Sequence, residues 1–166
     1  MADKTITERL QPSLLDRLTD LRRDARSESR DERVIDMRQL RDIIRRDLSW
    51  LMNTSNAGHL VDAETHPHAS ASVLNFGLNE VSGQFSTEER VRRIRASITR
   101  AIETFEPRLK HGTLEVVARP VTKSGEAILV FDIRADMWAQ PLPMELYLRS
   151  EVDVTTGQVT LERAGG

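Results

Sequence analysis

The chain has 166 residues and no cysteine, a length for one ordinary domain with extra terminal segments. Disulfides, thiol nucleophiles, thiolate zinc sites and iron–sulfur clusters are thereby excluded together. A net charge of −2 gives no global field for nucleic acid or acidic lipid, and the longest unbroken apolar run, Ala127 to Phe131, is far short of the ~20 residues that span a bilayer.

The charge is unevenly spread. Residues 1–50 hold 23 charged positions and residues 51–166 hold 27, so the first third is a solvated mixed-charge region and the core is expected from the rest. The start, Met1-Ala2-Asp3-Lys4-Thr5, lacks the apolar stretch of an export signal. A soluble, cytoplasmic protein with no membrane insertion is expected.

Residues 1–12 read as disordered or dependent on a partner. Pro12-Ser13 then opens a short helix with Leu14, Leu15, Leu18 and Leu21 on one stripe, too short to be stable alone. It must dock on its own domain or on another chain. Residues 22–33 alternate charges with almost nothing apolar, as in a flexible tether or an exposed helix end.

The first strong helix is expected from Met37 to Met52. Asp36 caps it, Gln39 completes a capping box, and Ile35 can staple onto Leu40. Met37, Leu40, Ile44, Leu48 and Leu51 recur at three or four residues and form one buried face. Residues 53–71 read as a polar loop carrying His59, His66 and His68. Residues 72–78 read as a short helical turn closed by Gly77, and Ser82-Gly83 as a break. Ser86, with Glu89 as box partner, opens a second helix whose stripe is Val91, Ile94, Ile98, Ile102 and Phe105. Pro107 ends it near Thr104 or Phe105.

From Gly112 the apolar period falls from about 3.6 to 2. Strands are expected over Leu114–Val121, Ala127–Met137, Met144–Val154 and around Val159–Leu161. Lys123-Ser124-Gly125-Glu126 and Thr156-Gly157 supply turns. Helices first and a consecutive meander after them give an α+β fold, N-terminal helices packed on a small antiparallel β-meander. The expected organisation is a flexible N-terminal segment over residues 1–33, with its docking helix at about 13–21, and a single α+β domain over residues 34–163.

Chemistry-bearing constellations are few. His59, His66 and His68 with Asp62 and Glu64 have poor ligand spacing and read as a solvated loop, so no metal and no cofactor is expected. Glycoside hydrolysis needs two carboxyl groups about 5–10 Å apart, one of raised pKa. Glu103 with Glu106, and Asp132 with Asp136, could meet only the spacing, and no aromatic stretch is present to hold a sugar. Arg90, Arg92, Arg93, Arg95 and Arg100 enrich the second helix, but Glu88, Glu89 and Glu103 balance them, so no nucleic acid is expected as a partner. No small-molecule substrate is expected either.

The remaining oddity is Phe105-Glu106-Pro107-Arg108-Leu109. The proline rigidifies the corner between helix and strand, so Glu106 and Arg108 can make charge-assisted bonds to another chain or within this one. Taken alone, it reads as an ordinary helix terminus.

Several segments together carry more. Pro12–Leu18, Arg46–Thr54, Ser72–Leu78, Glu106–Arg108 and Leu146–Asp153 followed by Thr156-Gly157 occur in one order. In this the chain resembles the TssE family of type VI secretion baseplate subunits, related to the wedge protein of contractile phage tails. The likeness covers about residues 12–162 and departs at Met52, where Leu is commoner. The resemblance implies structural work without catalysis. The partners it implies are other baseplate wedge subunits and sheath proteins, with initiation of contractile sheath polymerisation as the task.

The resemblance further implies that Glu106, Pro107 and Arg108 form an assembly contact. The candidate partner-binding residues are therefore these three with Leu14, Leu15 and Leu18 of the first helix. A meander's edge strand could template the sheath by pairing, the strand Met144–Val154 or the last strand being the candidates. The phage relative's historical lysozyme-like label leaves peptidoglycan hydrolysis as the alternative.

Overall fold

The computed structural model describes Leu10, residues 12–19, Asp24 and residues 35–79, 87–120, 128–138 and 144–163. The expectations for residues 1–9, Leu21, most of the 22–33 tether, the Ser82-Gly83 break, the Ser86 cap and the Lys123–Glu126 turn lie outside the described residues.

Helix α1 covers Leu14–Leu18 and is capped by Ser13. Helix α2 covers Met37–Met52, and both halves of its capping box form. The Asp36 carboxylate accepts from Gln39 N at 2.7 Å, and Gln39 Oε1 accepts from Asp36 N at 2.9 Å. Its buried stripe is Leu40, Ile44, Leu48, Leu51 and Met52, with Ile35 buried just ahead of the cap.

Between the two long helices, the stretch expected as loop contains a helical turn, α3, at Pro67–Ser70. Proline costs nothing at a first helical position, where its missing N–H has no partner to lose. A single 3₁₀ turn follows at Val73–Asn75. Gly77 lies beyond that turn rather than closing it, and its φ of +121° serves another purpose. The chain there presses onto residues 54–56 so closely that a Cβ would stand 2.2 Å from the Thr54 carbonyl oxygen. Leu78 N donates to Thr54 O at 2.8 Å and Asn56 N to Leu78 O at 2.9 Å, zipping the two ends of the loop together.

Helix α4 covers Thr87–Phe105 and stops two residues before Pro107. Its stripe buries Ile94, Ile98 and Ile102 as expected, with Ser97 and Ala101 beside them. Phe105 meets Phe76 edge to face at 5.3 Å, which fastens the loop to the end of α4.

The strands are β1 (Glu115–Ala118), β2 (Ile128–Met137), β3 (Met144–Asp153) and β4 (Val159–Arg163). They form one antiparallel sheet in the order β1-β2-β3-β4. Registers such as Val116↔Ile133 and Ile133↔Leu148 place apolar residues opposite one another. One sheet face buries Leu129, Phe131, Ile133, Ala135, Met137, Leu146, Leu148, Val152, Val159 and Leu161. The helices cover that face, α4 towards β1 and α2 towards β4. The architecture is α+β, with helices on one side of a four-stranded meander. No helix among the described residues is long and apolar enough to cross a membrane.

Candidate assembly interface

The corner after α4 is closed from within the chain. Glu106 is 4% exposed, and its carboxylate is gripped by the Arg108 fork. Nε reaches Oε1 at 2.6 Å and Nη2 reaches Oε2 at 2.5 Å, while Arg108 N donates to Oε1 at 3.1 Å. Such a bidentate pair fixes geometry as well as charge. The corner is also stitched to β2, because Trp138 N donates to Arg108 O at 2.9 Å and Lys110 N to Asp136 O at 2.7 Å. What this leaves facing outward is the exposed Pro107 and part of the Arg108 guanidinium, whose Nη1 takes no part in these bonds.

The pair continues into an alternating chain of charge along α2. Arg108 Nη2 also reaches Asp47 Oδ2 at 2.8 Å, and Asp47 Oδ1 accepts from Arg46 Nη2 at 2.7 Å. Arg46 in turn holds Asp16 of α1 with two nitrogens, one of them at 3.2 Å, and lies over the Trp50 ring at 4.7 Å. The Arg46 hydrogen bond holds the Asp16 carboxyl below its ordinary pKa. Burial works against the charge on Arg108, but the hydrogen bonds and charges of Glu106 and Asp47 outweigh it and raise its pKa. Five ionic groups thus connect the first helix to the corner.

The first helix has nothing else to hold it in the way of burial. No residue of α1 is buried, and Leu14, Leu15 and Leu18 are 70%, 50% and 74% exposed. Its Asp16 faces Arg46, while all three leucines stand at least half exposed among the described residues.

The sheet topology decides which edges are open. Strand β3 pairs with β4 from Leu148↔Arg163 to Val152↔Val159, so over those residues it is interior and not the edge the sequence reading allowed. Asp153 N donates to Gln158 O, which sets the phase of the ladder. Residues 149, 151 and 153 point their backbone groups at β4, and Glu145 and Tyr147 share that phase beyond the last described pairing of β4. On β4 the outward groups belong to Val159, Leu161 and Arg163. Val159 is already taken, since Asn53 Oδ1 accepts from its N–H at 2.9 Å and Asn53 Nδ2 donates to its carbonyl at 2.8 Å.

A cluster around Asp132, which the sequence reading weighed only as a carboxyl pair with Asp136, sits on the open face of the sheet. Asp132, 5% exposed, accepts from Arg119 Nε at 2.5 Å, Tyr147 Oη at 3.1 Å and Arg149 Nε at 3.2 Å. Burial alone would raise its pKa, yet these three donors hold it below the ordinary value. Arg134 completes the group over the Tyr147 ring at 4.5 Å. Its signal in the sequence was an acid at the centre of the most apolar strand.

A family model described as baseplate wedge protein gp25 matches residues 38–142. The chain belongs to this family. No curated protein and no solved structure matches it. The matched span takes in α2, the zipped loop, α4, the Glu106–Arg108 corner, β1 and β2. The role that follows for a gp25 family member is that of a structural part of a baseplate, assembled with other baseplate subunits.

The other residues singled out in the sequence lie apart from this chain of contacts. His59, His66 and His68 are exposed, and His66 Nδ1 meets Thr65 Oγ1 at 2.8 Å. Among the described residues no group of three or more His, Asp or Glu could hold a metal. Arg92, Arg93, Arg95 and Arg100 line the exposed side of α4, with Arg93 bonded to Glu89 at 2.9 Å. Neither carboxyl pair is arranged as a proton donor beside a nucleophile. Glu106 is engaged by Arg108, Glu103 is exposed, and Asp132 is held ionised by arginines.

Proposed function

We propose that this protein is a structural wedge component of a type VI secretion baseplate, contacting other wedge subunits and initiating polymerisation of the contractile sheath in the cytoplasm. The observation that carries this is the family match over residues 38–142, which encloses Glu106, Pro107 and Arg108. The reading divides the chain into a flexible N-terminal segment over residues 1–33, with its docking helix at about 13–21, and one assembly domain over residues 34–163.

In this reading the corner meets a neighbouring wedge subunit through Pro107 and the outer edge of Arg108, with Glu106 as the residue that holds the guanidinium in position. Leu14, Leu15 and Leu18 form a second contact, laid into an apolar groove of a partner. The sheath is templated at the sheet edge, where Leu161 and Arg163 turn their backbone groups outward and Glu145 and Tyr147 lie beyond the last described pairing of β4.

Co-purification with candidate wedge subunits tests the corner. Arg108→Ala combined with Glu106→Gln, which leaves no buried carboxylate without a partner, is expected to abolish wedge binding with the fold retained, and retained binding would overturn the role of the corner. Sheath assembly in vitro tests the edge. Glu145→Pro removes an outward N–H at an exposed position without touching the core. It is expected to block sheath initiation while leaving wedge binding intact, and normal sheath growth would refute the edge.

A further inference from the structure

Helix α2 carries more positive charge than its own acids can answer. Arg38, Arg41 and Arg45 recur at three and four residues, which places them within about 60° of one another around the helix axis. Arg38 is exposed, and Arg41 and Arg45 are half-buried. Both acids of the helix are engaged elsewhere. Asp42 lies one turn from Arg38 and from Arg45, where helical neighbours could pair, yet it accepts from Arg163 Nη2 of β4 at 2.6 Å. Asp47 is held by Arg46 and Arg108. No described residue makes an ion pair with Arg38, Arg41 or Arg45.

The stripe stands beside the end of the sheet. Helix α2 runs along β4, since Asn53 meets Val159 and Asp42 meets Arg163. Arg41 lines a shallow notch of about 180 Å³ with Arg163 and residues 145–148 of β3, at the point where the described pairing of β4 stops. The guanidiniums of Arg38, Arg41, Arg45 and Arg163 are set there against only the carboxylates of Asp42 and Glu145. A local excess of positive charge thus sits on a chain whose net charge is −2.

A half-buried guanidinium makes its strongest bonds to an ionised acceptor. A nucleic acid would bring one negative charge per ~1.7 Å of duplex against the Glu145 carboxylate in the notch wall. An extended peptide spaces its charges more widely, alternate side chains standing about 6.7 Å apart on one side. That spacing is close to the axial step of about 6 Å between Arg41 and Arg45. We propose that the Arg38, Arg41 and Arg45 stripe, with the notch beside it, docks an acidic, extended segment of a partner protein, gripped through its carboxylates. That the partner is a sheath or wedge subunit rests on the assembly reading, whereas the preference for carboxylates does not.

Titration of the full ¹⁵N-labelled chain with a short capped peptide that alternates Glu and Thr, followed by NMR, tests the site. Saturable shifts of the Arg41 and Arg45 Nε signals are expected, with a Kd on the order of 0.1–1 mM at low salt that weakens at least about fivefold when the salt is raised tenfold. Arg41→Gln with Arg45→Gln keeps good helix formers in place and is expected to weaken binding about tenfold with an unchanged thermal melt. Arg38→Gln, at the exposed end of the stripe, is expected to lose about twofold and keeps the test open whatever the double substitution does to the fold. Shifts that stay linear to about 5 mM would overturn the proposal, as would an unchanged Kd in the double variant or equal binding of a Lys and Thr peptide. Tighter binding of a duplex DNA oligomer at the same signals would overturn the protein occupant. None of these results bears on co-purification through the Glu106–Arg108 corner, so the two readings fail separately.

Discussion

Asp132 shows how a single carboxylate can be kept charged on a buried sheet position. Its contribution to stability follows from the sign of its shift. With the folded pKa below the ordinary value of 3.8, stabilisation is fully present above that value and is lost as pH falls from there through the lower folded pKa. Asp132→Asn is therefore expected to cost about 1–2 kcal/mol at pH 7, discounted because Arg119 and Arg149 are themselves nearly half exposed. The gap to the parent chain should close below about pH 4. Urea unfolding from pH 7 to pH 3 reads this, and a gap that stays constant would remove the carboxylate from the account. Ser150 is the opposite case, a fully buried hydroxyl on the helix-covered face with no partner. Ser150→Ala should be neutral or stabilising by up to about 1 kcal/mol, and a loss above that would mean the hydroxyl has a bond in solution.

Elements differ in how far their own residues determine them. Helix α2 was legible to both ends, because a capping box, a 3.6-residue stripe and a run of polar breakers agree locally. The Glu106–Arg108 pair was half legible, since the spacing allowed a bond within the chain or outside it and only the folded chain decides between them. The bonds from Arg108 to Asp47 and from Arg46 to Asp16 span 61 and 30 residues, and no local pattern announces them. The same is true of Asp132, whose partners come from β3 and from Arg119 just after β1 through register. Helix α1 is the element most dependent on such a distant bond. Five residues without a buried side chain cannot sustain a helix, so Asp16→Asn should release it. Hydrogen exchange is expected to show α1 amides at unprotected rates while global stability changes by less than about 1 kcal/mol. Protection that survives the substitution would show that something other than Arg46 holds the helix.

At the scale of the molecule, the order of elements and the sheet topology were readable from the change of period at Gly112, and the observed meander follows it. What could not be read was which outward groups of the β4 edge are already engaged. That depends on Asn53 reaching across from the end of α2 to both backbone groups of Val159. Asn53→Ala should cost about 1 kcal/mol through its lost hydrogen bonds and free one more outward pair of backbone groups. A concentration-dependent rise in self-association, measured by sedimentation, is expected from the longer bare edge. A variant as monomeric as the parent would show that the asparagine guards nothing.

The asparagine's grip on Val159 has one more consequence. An arriving strand cannot lie along the whole of β4, because the first rung is occupied and the nearest vacant one is Leu161. Strand pairing advances in steps of two residues on a given side, so the earliest permitted step sets the axial offset between this chain and whatever it recruits. If a helical tube grows from here, one amide side chain decides the phase at which its first turn begins.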